Sequence, residues 1–318
     1  MRGTAMRRTA VRRTAVALLI AVMAPVTVVS VHGGGEAEQP MPTDDQASAE
    51  RPLRVFVSVQ PQKFFVDRIA GGEAQVSVVV PPGRSPSTYE PTTREVARLS
   101  EADVYFRVRV PFEDGFLPRV ERGMEGLPIV DTTRNIEFRH LDEHGEQEHD
   151  PGHDEEGELD PHVWLGPREA RTMAATIRDT LSELRPERAA FYEENYRELM
   201  AEIDELDARL AKELAPIEGR TLFVFHPAFG YFARTYGLRQ EAIETGGREP
   251  SAAELERIIE RAQEEEVRVI FVQPQFARSA ADRAAEAIDG AVVSIDPLAE
   301  DWLANMERIA ERIREGLE

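Results

Sequence analysis

The 318-residue sequence contains no cysteine and only two lysines, Lys63 and Lys212. Without cysteine there are no disulfides, no thiolate metal ligands and no residue for lipid attachment behind a leader. Basic charge is in deficit, with 38 Lys and Arg against 59 Asp and Glu, a net charge of −21. That balance excludes nucleic acid as a partner. It describes a solvated acidic surface suited to a salty medium, and the same surface raises the local concentration of cations. Histidine is also scarce. Of seven, only His32 and His226 lie outside residues 139–165.

The chain is long enough for one large domain or two ordinary ones. Arg7, Arg8, Arg12 and Arg13 precede an apolar run, Ala15 to Val31, with small residues near Ser30. This pattern predicts a secretory signal peptide over 1–31 and a periplasmic location. Left uncleaved, the same segment would act as a membrane anchor, although it is short for a span. Residues 32–51 are polar and rich in Gly, Pro and Ala, and read as a tether.

Beyond the tether, β-branched runs alternate with helical periods. Strands are predicted at 53–59, 76–80, 103–108 and 128–131, with a helix at 92–101. Helices follow at 167–184 and, opened by Pro186, to about Leu214. A second alternation places strands at 221–225, 239–243, 267–272 and 291–295, and helices at 228–236, 251–265, 279–289 and 300–316. The expected fold class is α/β with two parallel-sheet lobes. The lobes occupy 52–185 and 219–318 and are joined by the helix 186–214. A His-rich acidic loop at 139–159 belongs to the first lobe. No internal sequence repeat is evident.

Ligands in open α/β sheets gather at the carboxyl ends of strands. Four stretches sit there: 81–91 (PPGRSPSTYEP), 160–167 (DPHVWLGP), 225–232 (FHPAFGYF) and 295–298 (IDPL). Their polar members are Ser87 or Glu90, His162, His226 and Asp296. Taken singly, His226 could cap its strand, His162 could be an ordered partly buried ring, and Asp296 before Pro297 could open a turn. Taken together, two imidazoles and a carboxylate suit Zn²⁺ or Mn²⁺. Nothing resembling the H-E-x-x-H motif of a metallohydrolase is present.

The strings PPG-x-x-P-x-x-YEP, DPHVWL-x-P, FHPAFGYFA-x-x-YGL, EPS and IDPLAEDW occur in that order. As a set they resemble the zinc/manganese substrate-binding proteins of ABC importers, over about 51–318. The resemblance implies two Rossmann-like lobes joined by one long rigid helix, with the metal held between them. It implies that the chain is not an enzyme but a monomeric carrier that delivers its ion to an ABC transporter membrane permease. It also implies His162, His226 and Asp296 as metal ligands. One departure stands out. The first motif of the family has histidine where this sequence has Ser87 and aspartate where it has Ser85, and Gln273 stands where glutamate is common. Water, His140 or Glu90 could complete the coordination, or the cargo could be another cation or a metal chelate. An adhesin-like surface protein and a zinc hydrolase are the alternatives from other functional classes. Loop residues His144, His149 and His153 are expected to capture cations weakly.

Overall fold

The computed structural model describes residues 51–141, 158–244, 251–276 and 278–318. The predicted leader, the tether up to residue 50 and the loop histidines His144, His149 and His153 lie outside them. The first lobe runs β1 (Leu53–Val57), α1 (Gln60–Ala70), β2 (Ala74–Val78), α2 (Thr93–Leu99), β3 (Val104–Arg107), α3 (Phe112–Gly123) and β4 (Ile129–Asp131). A single helical turn, Val163–Leu165, leads into α4 (Pro167–Leu184), and α5 (Ala189–Leu214) crosses to the second lobe. There β5 (Thr221–Val224), α6 (Gly230–Thr235), β6 (Arg239–Ala242), α7 (Ala252–Glu264), β7 (Val269–Val272), α8 (Arg278–Ala287) and β8 (Ala291–Ser294) alternate. The chain returns through α9 (Trp302–Leu317).

Both sheets are parallel, with strand orders β2-β1-β3-β4 and β6-β5-β7-β8. The lobes therefore share one topology although no repeat is visible in the sequence. In each, the chain direction across the sheet reverses beside the first strand, which opens a crevice between the loops leaving the first and third strands. His226 leaves β5 and Gln273 leaves β7, so both stand at the crevice of the second sheet.

Two helices stand where the sequence pattern predicted none. Helix α1 is bounded by Pro61 in its first turn and by Gly71, whose φ of 57° suits the left-handed C-cap. Helix α3 contains Gly115 and Pro118, which weaken its intrinsic propensity. Burial of Phe112, Phe116, Leu117 and Val120 on one face overrides that weakness.

The two lobes form one compact unit. Helix α5 buries Tyr192, Leu199, Ile203, Leu206, Leu210 and Leu214 along one stripe, and α1, α4 and α9 pack against it. Each such leucine contributes about 1.5–3 kcal/mol of burial. Two tryptophans fasten the lobes. Trp164 Nε1 donates to the Pro297 carbonyl (2.8 Å), and Trp302 Nε1 donates to the Trp164 carbonyl (2.6 Å). At the rim, Lys63 of α1 pairs with Glu300 (2.5 Å) as well as with Asp67 of its own helix (2.7 Å).

Candidate metal centre

All four strands of the second sheet place a polar residue beyond their carboxyl ends: His226 after β5, Glu244 after β6, Gln273 after β7 and Asp296 after β8. His226 leaves β5 with both its backbone groups held by the Gln273 amide. The His226 N–H donates to Oε1 (3.1 Å), and Nε2 donates to the His226 carbonyl (2.9 Å). The ring stacks on Phe276 with centroids 4.8 Å apart. Its Nδ1 lies 2.5 Å from Glu244 Oε2.

His162 arrives on the segment that follows the His-rich loop. The turn is built by Asp160, whose Oδ1 accepts from the His162 backbone N–H (2.9 Å) and from Nδ1 (2.8 Å). Trp164 meets the ring edge to face, with centroids 5.5 Å apart. The two imidazoles then turn their remaining nitrogens on each other, with His162 Nε2 and His226 Nε2 3.2 Å apart.

Both histidines are 8% exposed, and the carboxylates behind them are buried, Asp160 at 0% and Glu244 at 2%. An ionised carboxylate only accepts, so each Nδ1 carries the proton and each Nε2 presents a lone pair. Two lone pairs facing at this distance repel unless a cation lies between them. Two nitrogens bound tetrahedrally to one zinc at about 2.0–2.1 Å would be about 3.3–3.4 Å apart. The observed separation matches that edge. A carboxylate behind the ring fixes the tautomer and strengthens the donor, as is general for metal-binding histidine. Burial lowers the pKa of His226, the Glu244 hydrogen bond opposes this, and the neighbouring His162 reinforces it. The neutral, ligating form is therefore favoured. Among the described residues Glu244 Oε1 has no hydrogen-bond partner, a buried negative oxygen that a cation on the far side of the ring would offset.

Asp296 stands apart from the pair. Its Oδ1 accepts from Gln275 Nε2 (2.8 Å) and from the Leu298 N–H (2.9 Å). It lines a cavity between the lobes, opposite Gln60, Pro81, Pro82 and Gly83. Ser87 is half-buried with its N–H on Ser85 Oγ (3.3 Å), and Glu90 is exposed. His140 forms an antiparallel bridge with Leu159 at the base of the His-rich loop. Among the described residues, no three histidine, aspartate or glutamate side chains are arranged to hold an ion. Two donors are preorganised.

Residues 55–316 match the family described as zinc-uptake complex component A, periplasmic (ZnuA). The chain belongs to this family. The high-affinity zinc uptake system protein ZnuA of Bacillus subtilis (strain 168) is 30% identical over 244 residues, covering 74% of this chain and 75% of that protein. The zinc-binding lipoprotein AdcA of Streptococcus pneumoniae (strain ATCC BAA-255 / R6) is 28% identical over 243 residues, covering 75% of this chain. The chain spans about half the length of AdcA, since the match covers 48% of it. A crystal structure of ZnuA is 33% identical, covers 84% of this chain and 100% of its own, and superposes with a TM-score of 0.77. Of the two histidines, His226 follows a strand as expected, whereas 160–167 does not: His162 follows the His-rich loop and the isolated His140–Leu159 bridge.

Sequence reasoning had singled out His162 and His226, and the fold brings them together across 64 residues. It had not assigned roles to Asp160 or Glu244. Asp160 was visible as the first residue of DPHVWL, and Glu244 directly follows a predicted strand. Asp160 bonds its near neighbour His162 within one turn, whereas Glu244 meets His226 only once β5 and β6 are paired.

Proposed function

We propose that this chain is an extracytoplasmic carrier that captures Zn²⁺, with Mn²⁺ as second choice, and delivers it to the membrane permease of an ABC importer. It is not an enzyme. The observation that carries the reading is the pair of Nε2 atoms 3.2 Å apart, each backed by a buried carboxylate. His162 and His226 form the permanent half of the site. Asp296, beyond β8 of the same lobe as His226, supplies a carboxylate to the bound ion, and water or a nearby donor takes the place vacated by histidine at Ser87. Two neutral nitrogens with one carboxylate suit borderline zinc better than harder Mn²⁺. Family membership and the names of the zinc-binding relatives support the same choice. Among the described residues no helix is long and apolar enough to cross a membrane.

Calorimetric titration with Zn²⁺ and Mn²⁺ tests this reading. Replacing His226 with Ala should weaken zinc binding by roughly tenfold or more, since a zinc–nitrogen bond is lost. Unchanged affinity would overturn the assignment of the site to the histidine pair.

A further inference from the structure

The buried residue that touches both histidine-bearing segments is neither histidine nor carboxylate. Arg139, at the start of the His-rich loop, is 1% exposed, and its Nη1 donates to Asp160 Oδ2 (2.8 Å). The opposite oxygen of that carboxylate is the one that holds the His162 backbone and ring. Gly230, the first residue of α6 and four residues after His226, lies directly over this ion pair. A Cβ built on Gly230 would overlap Arg139 Nη1. The backbone is locked to the same place. The Asp160 N–H donates to the Arg139 carbonyl (2.9 Å), the Arg139 N–H donates to the Tyr231 hydroxyl (3.2 Å), and that hydroxyl donates to the Asp160 carbonyl (3.2 Å).

We infer that Arg139 is a positioning residue for metal capture: paired with Asp160 beneath the Gly230 backbone, its guanidinium sets the ring of His162 against that of His226. This rests on the reading that the histidine pair holds the ion. A buried ion pair is poor value as a stabilising device, because desolvating two charges offsets most of their attraction. It is well suited to holding geometry, because a charge-assisted hydrogen bond on one carboxylate oxygen fixes the direction of the other. Gly230 completes the arrangement by leaving room for the guanidinium at the helix start.

The test compares the full chain with His226→Ala, Arg139→Gln, Arg139→Lys and Gly230→Ala by zinc titration. Melting curves of the metal-free proteins and ¹⁵N NMR of their imidazoles accompany it. Arg139→Gln should weaken zinc binding by about tenfold, within the range for partners behind metal ligands, and Arg139→Lys should recover most of the loss. Gly230→Ala keeps every charge and favours helix, yet should weaken binding similarly by displacing the guanidinium together with the Asp160 oxygen it holds. In Arg139→Gln the His162 ring should no longer hold a single Nδ1–H tautomer, a change that mere loss of stability would not produce. If Arg139→Gln and Gly230→Ala bind zinc within about twofold of the parent while His226→Ala has lost it, the inference is overturned and the site reading stands. If His226→Ala also binds like the parent, the site reading has failed instead. Should Arg139→Gln not fold, Gly230→Ala decides alone.

Discussion

Gln273 shows how an uncharged side chain can govern the site through the backbone. Its amide both accepts from and donates to the backbone of His226, and it is fully buried. A carboxylate could accept from the N–H but would set its second oxygen against the His226 carbonyl. The amide satisfies both groups, which gives a reason for glutamine in this chain. Replacing Gln273 with Leu should cost about 1–3 kcal/mol by leaving buried backbone groups unpaired. Chemical denaturation of the metal-free protein would show this as a lower midpoint with an unchanged slope. The residue type was legible in the sequence, but its role was not. A glutamine after a strand gives no sign that its partner lies 47 residues earlier.

At the level of elements, the His-rich loop is closed at its foot. Leu141 N–H donates to the Glu158 carbonyl (2.9 Å), and His140 faces Leu159 across an antiparallel bridge. Leu141 and Glu158 are therefore placed like the last pair before a two-residue hairpin turn. Replacing 142–157 with Asn-Gly should leave tight zinc binding within about threefold of the parent, because the positions of Arg139 and Asp160 are kept. The variant should also lose the weak additional equivalents expected of His144, His149 and His153. Titration to several molar equivalents would separate the two classes, and loss of the tight class would make a loop residue a true ligand. The strands were readable from β-branched runs to within a few residues. Helices α1 and α3 were not, because α1 follows β1 almost directly with Pro61 in its first turn and α3 carries Gly115 and Pro118, and burial rather than propensity holds them.

For the whole molecule, acidity is the condition most directly tied to the site. Zinc needs both imidazoles neutral, so binding should be level above neutrality and weaken in acid as protons compete. The folded pKa of His226 lies below its ordinary value of 6.5. Its neutral form therefore contributes stability that is fully present above pH 6.5 and is lost as pH falls through the folded value. The melting temperature of the metal-free protein should fall between neutral pH and pH 5, and His226→Gln should flatten that decline. An equally steep decline in the variant would assign the effect to other groups. The same burial that produces this dependence joins the lobes, since Trp164 and Trp302 tie them together beside the centre.

Read along the chain, periodicity indicates two α/β lobes, strand ends mark His226 and Asp296, and the DPHVWL motif marks His162. Those features are local: each depends on residues within one element or one turn. Asp160 sits two residues before His162, but the pairing of the rings, Glu244 behind His226 and the packing of Arg139 against the α6 segment depend on contacts 18 to 92 residues apart. No local pattern encodes such distances. Only the packing of two parallel sheets against one helix turns scattered donors into two lone pairs facing one point.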